Sequence, residues 1–225
     1  MPKVLVIEGA IGAGKTTLLR ILEQRLPFAK IVTVPEPVEV WKETGALREF
    51  YADVKGKAIE FQTFVFATRL QALKQAWKVE PAADLYILER SPFSDKYIFI
   101  AMLHQGGLIT DAQLARYNLW WESWIDLWPV TPTHFLHLKP SLAACMERTE
   151  KRARAGETVT KDYQAALMQQ HETFFRVHCS QPVLDISDEV DYREPGPAQD
   201  QLVQRVHAFL MQRRPLGPAE NFGPN

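Results

Sequence analysis

The run Gly9-Ala10-Ile11-Gly12-Ala13-Gly14-Lys15-Thr16 matches the pattern GxxxxGK[ST] in full. That spacing suits a chain of phosphates. Glycines let the backbone wrap an anion with its N–H groups turned inward. A helix starting at the lysine adds its positive end to the same anion. Lys15 is expected to reach the β- and γ-phosphates of a nucleoside triphosphate. The Thr16 hydroxyl is expected on Mg²⁺, with Gly9, Ala10, Gly12, Ala13, Gly14 and Thr17 completing the cradle. The motif sits between an apolar run and a helical pattern, which sets it apart from a chance glycine turn. Alone it implies only that a triphosphate binds, as in GTPases, ATPases and small-molecule kinases.

Four more groups carry chemistry. Glu36 stands between Pro35 and Pro37 at the end of an apolar run; a surface acid is the bland alternative. Gln62, Val65 and Arg69 are spaced by three, four and seven, which places them on one helix face. Glu89-Arg90-Ser91 is followed by Asp95. Arg148, Arg152 and Arg154 precede Gly156-Glu157, either as phosphate-binding cations or as a solvated helix end. Trp41 and Phe61 fit an apolar pocket wall and ordinary core about equally well. The six histidines show no ligand spacing.

The elements that must position these residues can be read from periodicity. Short apolar runs predict strands over Val4–Ile7, Ile31–Val34, Asp84–Leu88, Thr133–Leu138 and Val183–Ile186. Helical spacing predicts Thr16–Leu26, Gly56–Trp77, Phe93–His104, Asp111–Leu127, Ser141–Arg154, Lys161–His178 and Gln199–Gln212. The alternation implies an α/β fold, a mostly parallel sheet covered on both faces. Ligands bind beyond the C-terminal strand ends in such sheets. Gly9, Glu36 and Arg90 all follow strands and are expected to converge there. Residues 1–214 read as one domain, with a lid near 148–160 and a tail from 215 to 225 expected to be disordered.

The segments IEGAIGAGKTT, VPEPVEVW, FQTFVFATR, LERSPFSDKYIF and ERTEKRARAGE, in this order, resemble the deoxynucleoside kinase family from about Val4 to Ile186. The resemblance implies a P-loop kinase fold with a five-stranded parallel sheet and an arginine-rich lid. It implies transfer of the γ-phosphate of ATP or another triphosphate to a deoxynucleoside 5′-hydroxyl, with Mg²⁺. It makes Glu36 the general base, Arg90 its partner, and Glu89 a carboxylate near the magnesium. Tyr51 and Glu157 would hold the 3′-hydroxyl and Gln62 would read the base edge. Trp41, Phe61, Val65 and Phe99 would wall the base pocket. Arg148, Arg152 and Arg154 would clamp phosphoryl oxygens. A homodimer is implied, and the tryptophan-rich stretch Tyr117–Trp128 is compatible with one. By the same analogy, Ser187–Glu194 would approach the donor base.

Arg69 and Asp95 bear on the base. In the family such a charged pair accompanies deoxycytidine and purine deoxynucleosides, whereas thymidine-preferring members tend to be apolar there. A carboxylate accepts from an exocyclic amine and repels a carbonyl such as thymine O4, and Arg69 is expected to keep Asp95 ionised. Val65 is bulkier than a roomy purine pocket would suggest. The chain of 225 residues is 46% hydrophobic with a net charge of -1, which argues against a polymer nucleic-acid binder. Two scattered cysteines give no disulfide or metal framework. No apolar run reaches membrane-spanning length and no targeting stretch precedes the first strand, so a cytoplasmic setting is expected. Two alternatives stay open: a nucleoside monophosphate kinase on the same fold, and a non-catalytic P-loop switch.

Overall fold

Five short apolar runs pair, all in parallel, in the order β2-β3-β1-β4-β5. They are β1 (Lys3–Gly9), β2 (Ile31–Val34), β3 (Leu85–Glu89), β4 (His134–Leu138) and β5 (Val183–Ile186). The computed structural model describes residues 2–187, 192 and 194–212. The expected tail from Pro215, and most of the segment expected near the donor base, lie outside these residues. Strands β3 and β4 are buried along their whole length, and β1 nearly so. Helices cover both faces, which is why these strands read as continuous apolar runs without alternation.

The expected helices all appear, with ends that differ by a residue or two. α1 (Lys15–Arg25) starts at the P-loop lysine and buries Leu18, Leu19, Ile21 and Leu22. α4 (Val54–Val79) is capped by Asp53, whose carboxylate accepts from Gly56 N at 2.9 Å. Its buried face holds Phe61, Gln62, Val65 and Arg69 together, as their spacing predicts. α7 (Asp111–Ile125), α8 (Leu142–Arg152), α9 (Lys161–Thr173) and α10 (Pro197–Met211) complete the longer set.

Two differences matter for the site. α2 (Val38–Glu43) and α3 (Ala46–Ala52) were not expected. Each is under two turns, too short to show a repeat, and Gly45 in left-handed conformation separates them. The rod after β3 is also irregular. α5 (Pro92–Ser94) widens into a π-helical stretch, Asp95–Ile100, before α6 (Ala101–Gln105). A second π-helical stretch, Phe174–His178, extends α9. Such widening recurs at functional sites, and here it buries Asp95 completely.

Candidate active site

The sheet order sets the loops after β2, β3 and β1 side by side, with neighbouring strands about 4.8 Å apart. Gly9, Glu36 and Arg90 meet there. Arg90 N donates to Ile7 O at 3.1 Å, extending the ladder, and Arg90 Nη2 donates to Gly9 O at 2.8 Å. Lys15 Nζ donates to the Gly9 and Ala10 carbonyls at 3.2 and 2.9 Å. Burial, with the Arg90 charge nearby, brings this ammonium down to about 8. Thr16 Oγ1 donates to both Glu89 oxygens, at 3.0 and 2.9 Å. These are hard oxygen donors, and no group of three or more His, Cys, Asp or Glu side chains could cage a metal among the described residues. Hard oxygen donors of this kind are compatible with Mg²⁺.

The phosphate loop is held from behind by α8. Gly12 has φ +78°, and a Cβ there would stand 2.6 Å from the Cys145 carbonyl oxygen and 2.7 Å from Thr149 Oγ1. Gly12→Ala is therefore expected to cost about 1–3 kcal/mol of stability and to weaken triphosphate affinity. Thermal melting and a triphosphate titration check the two effects separately.

Glu36 stands beyond β2 with its side chain 15% exposed. Its Oε1 accepts from Arg69 Nη2 at 2.5 Å, and Arg90 Nε lies 3.3 Å from the same oxygen. Burial opposes the Glu36 charge, but Arg69, Arg90 and Lys15 outweigh it and carry the carboxyl down to about 2. The pairing with Arg90 was expected; the closer one with Arg69 was not. Arg69 also donates from Nε to Asp95 Oδ1 at 3.2 Å and from Nη1 to Glu89 O at 3.1 Å. One guanidinium thus links Asp95 to Glu36.

Asp95 corrects the expectation that Arg69 keeps it ionised. Burial outweighs the Arg69 charge, Glu36 and Glu8 add to burial, and the carboxyl is pushed up to about 7. Arg69 is shared between two acids, and Asp95 Oδ2 has no hydrogen-bond partner. The folded chain therefore holds an extra proton between the ordinary aspartate value of 3.8 and about 7. Linkage makes wild-type stability fall as pH rises through that window. The melting temperature of Asp95→Asn minus that of wild type should grow from pH 4 to pH 8. A difference constant with pH would contradict the assignment.

Between the charged loops and α4 opens a cavity of about 370 Å³, within the ~300–1,000 Å³ of small-molecule sites. Glu36, Trp41, Tyr51, Phe61, Gln62, Val65, Arg69, Arg90, Phe99 and Glu157 line it, as do Lys15, Thr16 and Glu89 beside the glycine-rich loop. Phe61 stacks on Phe50 at 4.5 Å, and Trp41 Nε1 donates to Thr68 Oγ1 at 2.8 Å. Trp41 and Phe61 are thus both core and wall. Gln62 Oε1 is buried without a partner, an acceptor facing the need for a donor. Asp95 is not part of the lining; it is buried against Arg69 instead.

In the segment expected to be a lid, 148–160, the chain leaves α8 at Ala153, left-handed at φ 45°, and reaches Thr160, which caps α9 by accepting from Tyr163 N. Gly156 has φ +80°, and a Cβ there would be 3.0 Å from Arg48 Cβ, so this loop rests on α3. Arg152 Nη2 and Arg154 Nη1 donate to Glu157 at 2.5 and 3.2 Å. All three line the cavity. Arg148, half-buried on α8, does not, and neither do Gly9, Ala10, Ala13, Gly14 and Thr17.

Several residues went unforeseen. Arg20, Glu39 and Tyr163 also line the cavity. Glu8 and His171 are fully buried against Arg90. Glu8 had a signal: it is the one charge in the apolar part of β1 after Lys3, and buried charges need partners. Tyr163 and His171 sit in an ordinary helical pattern that marks neither.

The deoxynucleoside kinase family model matches residues 5–211. Similar known proteins include the probable deoxycytidine kinase of Fowlpox virus, 32% identical over 213 residues that cover 92% of this chain and 88% of the viral one. The thymidine kinase of Ictalurid herpesvirus 1 is 28% identical over 216 residues, covering 94% and 87%. The mitochondrial deoxyguanosine kinase of Xenopus laevis is 28% identical over 240 residues, covering 92% and 89%. The relatives' names differ in the nucleoside, so overall similarity does not choose the base.

Proposed function

The chain belongs to the deoxynucleoside kinase family, and from that premise we propose that it transfers the γ-phosphate of ATP to the 5′-hydroxyl of deoxycytidine or a purine deoxynucleoside. That it is a kinase acting on deoxynucleosides, with a nucleotide as phosphate donor, follows from the family. The finer reading is carried by one observation. The P-loop lysine, the Glu36 carboxylate and the buried Gln62 amide open onto the same cavity.

In this reading Lys15 and the loop N–H groups bind the donor phosphates. Thr16 and Glu89 would hold Mg²⁺, which neutralises charge on the phosphate oxygens when bound. The sugar lies between Glu36 and the phosphate loop, with its 5′-oxygen near the open side of the carboxylate. Glu36 stays ionised at neutral pH and accepts the hydroxyl proton. A carboxyl near 2 is a weak base. It suffices because phosphoryl transfer passes through a loose transition state, with little need to deprotonate the nucleophile in advance. Arg90 positions Glu36 and contacts the reacting end. Tyr51 and Glu157 take the 3′-hydroxyl. Arg152 and Arg154 reach the transferring phosphoryl group from the lid, and Arg148 reinforces that helix end.

Gln62 reads the base: its Oε1 lacks a partner on the cavity wall, and an exocyclic amine supplies the missing donor. Asp95, buried behind that wall, acts on the base through Arg69, which does line the cavity. Leu119, Trp124 and Leu127, on and just beyond α7, are 68%, 44% and 45% exposed, which supports a homodimer through this face. Sedimentation at several concentrations tests that point. No helix among the described residues is long and apolar enough to cross a membrane.

The direct test supplies ATP with each of the four deoxynucleosides, and separately with their monophosphates. Consumption of deoxycytidine, deoxyadenosine or deoxyguanosine, yielding 5′-monophosphates, supports the reading. Consumption of monophosphates instead would make the chain a nucleoside monophosphate kinase.

A further inference from the structure

Arg90 is the most constrained side chain in the site. It is a non-glycine residue with φ 67°, a left-handed backbone that costs about 1–3 kcal/mol and persists only where the surroundings over-determine it. Its guanidinium is held by hydrogen bonds through both terminal nitrogens, while Nε makes an ion pair without a hydrogen bond. Nη2 donates to Gly9 O, Nε faces Glu36, and Nη1 lies 3.2 Å from Glu8 Oε2 and 3.3 Å from His171 Nε2. The plane packs on Phe99, with Cζ 4.7 Å from the ring centroid.

His171 comes from α9, far from β3 in sequence, and is fully buried. Its Nδ1 lies 2.7 Å from the Leu167 carbonyl oxygen, which can only accept. Nδ1 therefore carries the ring hydrogen, and in the neutral ring Nε2 is a bare lone pair. Burial lowers the imidazole's basicity, in keeping with a neutral ring. The ring plane is fixed by His137, stacked at 5.8 Å and 9°. Nε2 is thus aimed at Arg90 Nη1, and Glu8 Oε2 lies farther from it at 3.6 Å. Glu8 alone holds Nη1 incompletely, because its other oxygen accepts from Ser94 Oγ.

We propose that His171 is a positioning residue for phosphoryl transfer: its Nε2 accepts from Arg90 Nη1 and so fixes the guanidinium against Glu36. This rests on the reading of Arg90 as the group that contacts the reacting end. A residue of α9 that does not itself line the cavity thereby sets the geometry of the catalytic pair.

Two substitutions separate this role from packing. His171→Gln places an amide oxygen near the Nε2 position and keeps an acceptor for Arg90. His171→Asn keeps a donor for the Leu167 carbonyl but stops short of Arg90. With ATP and deoxycytidine, His171→Asn should lower kcat by about tenfold or more while KM changes by less than about threefold. His171→Gln should recover kcat to within about threefold of wild type. Melting curves establish that both fold; if His171→Asn does not, His171→Met serves as the acceptor-free variant. Wild-type kcat in the acceptor-free variant, or His171→Gln as slow as that variant, would overturn the proposal. Arg90→Gln distinguishes the two levels. If it turns over like wild type, the role given to Arg90 fails and the proposal falls with it. If it is slow while the acceptor-free His171 variant is fast, only the proposal for His171 fails.

Discussion

Glu36→Gln is expected to turn over about 10²–10⁴-fold more slowly than the wild type while its affinity for the triphosphate stays close to normal. The amide keeps the volume and one acceptor oxygen, so the cavity keeps its shape. It loses the charge that takes the hydroxyl proton. It also leaves Arg90 Nε and Arg69 Nη2 facing a neutral group where each met a carboxylate oxygen. Arg69 then has Asp95 as its one carboxylate partner within ion-pair distance among the described residues, and Asp95 should ionise more readily. Steady-state kinetics with deoxycytidine, alongside a triphosphate titration, read the two halves. Full turnover in this variant would reduce Glu36 to a loop acid and leave removal of the hydroxyl proton to another group.

Replacing Arg69 by Leu together with Asp95 by Ala should move preference toward thymidine. The expected drop in the ratio of kcat/KM for deoxycytidine over thymidine is about 5–150-fold, the equivalent of one buried polar group left unpaired by the wrong base, ~1–3 kcal/mol. The double replacement should fold better than Arg69→Leu alone. Arg69→Leu strips Asp95 Oδ1 of its partner and leaves Arg90 as the one ion-pair partner of Glu36 among the described residues, and breaking a buried ion pair from one side is the costly way to remove it. Asp95→Ala alone leaves Arg69 on Glu36 and on the Glu89 carbonyl. A competition assay with both nucleosides present measures the ratio, and no change in it would remove Asp95 and Arg69 from base choice.

The parts of the fold that were legible in the chain are those with a local signature. β1 and β3 are buried apolar runs, and the glycine-rich loop after β1 matches a pattern with its own chemistry. Gln62, Val65 and Arg69 share a face because helical spacing demands it. What was not legible is tertiary. Arg69 meets Glu36 across 33 residues of sequence, and nothing in either segment says which arginine comes closer. Asp95 was read as an ionised acceptor because its arginine partner was visible. The complete burial that raises it to about 7 was not. α2 and α3 lacked the length to show a period, and the pairing of Arg152 and Arg154 with Glu157 depends on how the lid closes its own loop.

The measurement closest to the central claim is a crystal structure with deoxycytidine and a non-hydrolysable ATP analogue bound together. The account predicts the 5′-oxygen within hydrogen-bonding distance of the Glu36 carboxylate and in line with the γ-phosphorus, which lies over Lys15, with the cytosine amine turned toward Gln62 and the Arg69–Asp95 pair behind it. A nucleoside bound outside the cavity, or one whose 5′-oxygen points away from Glu36, would contradict it.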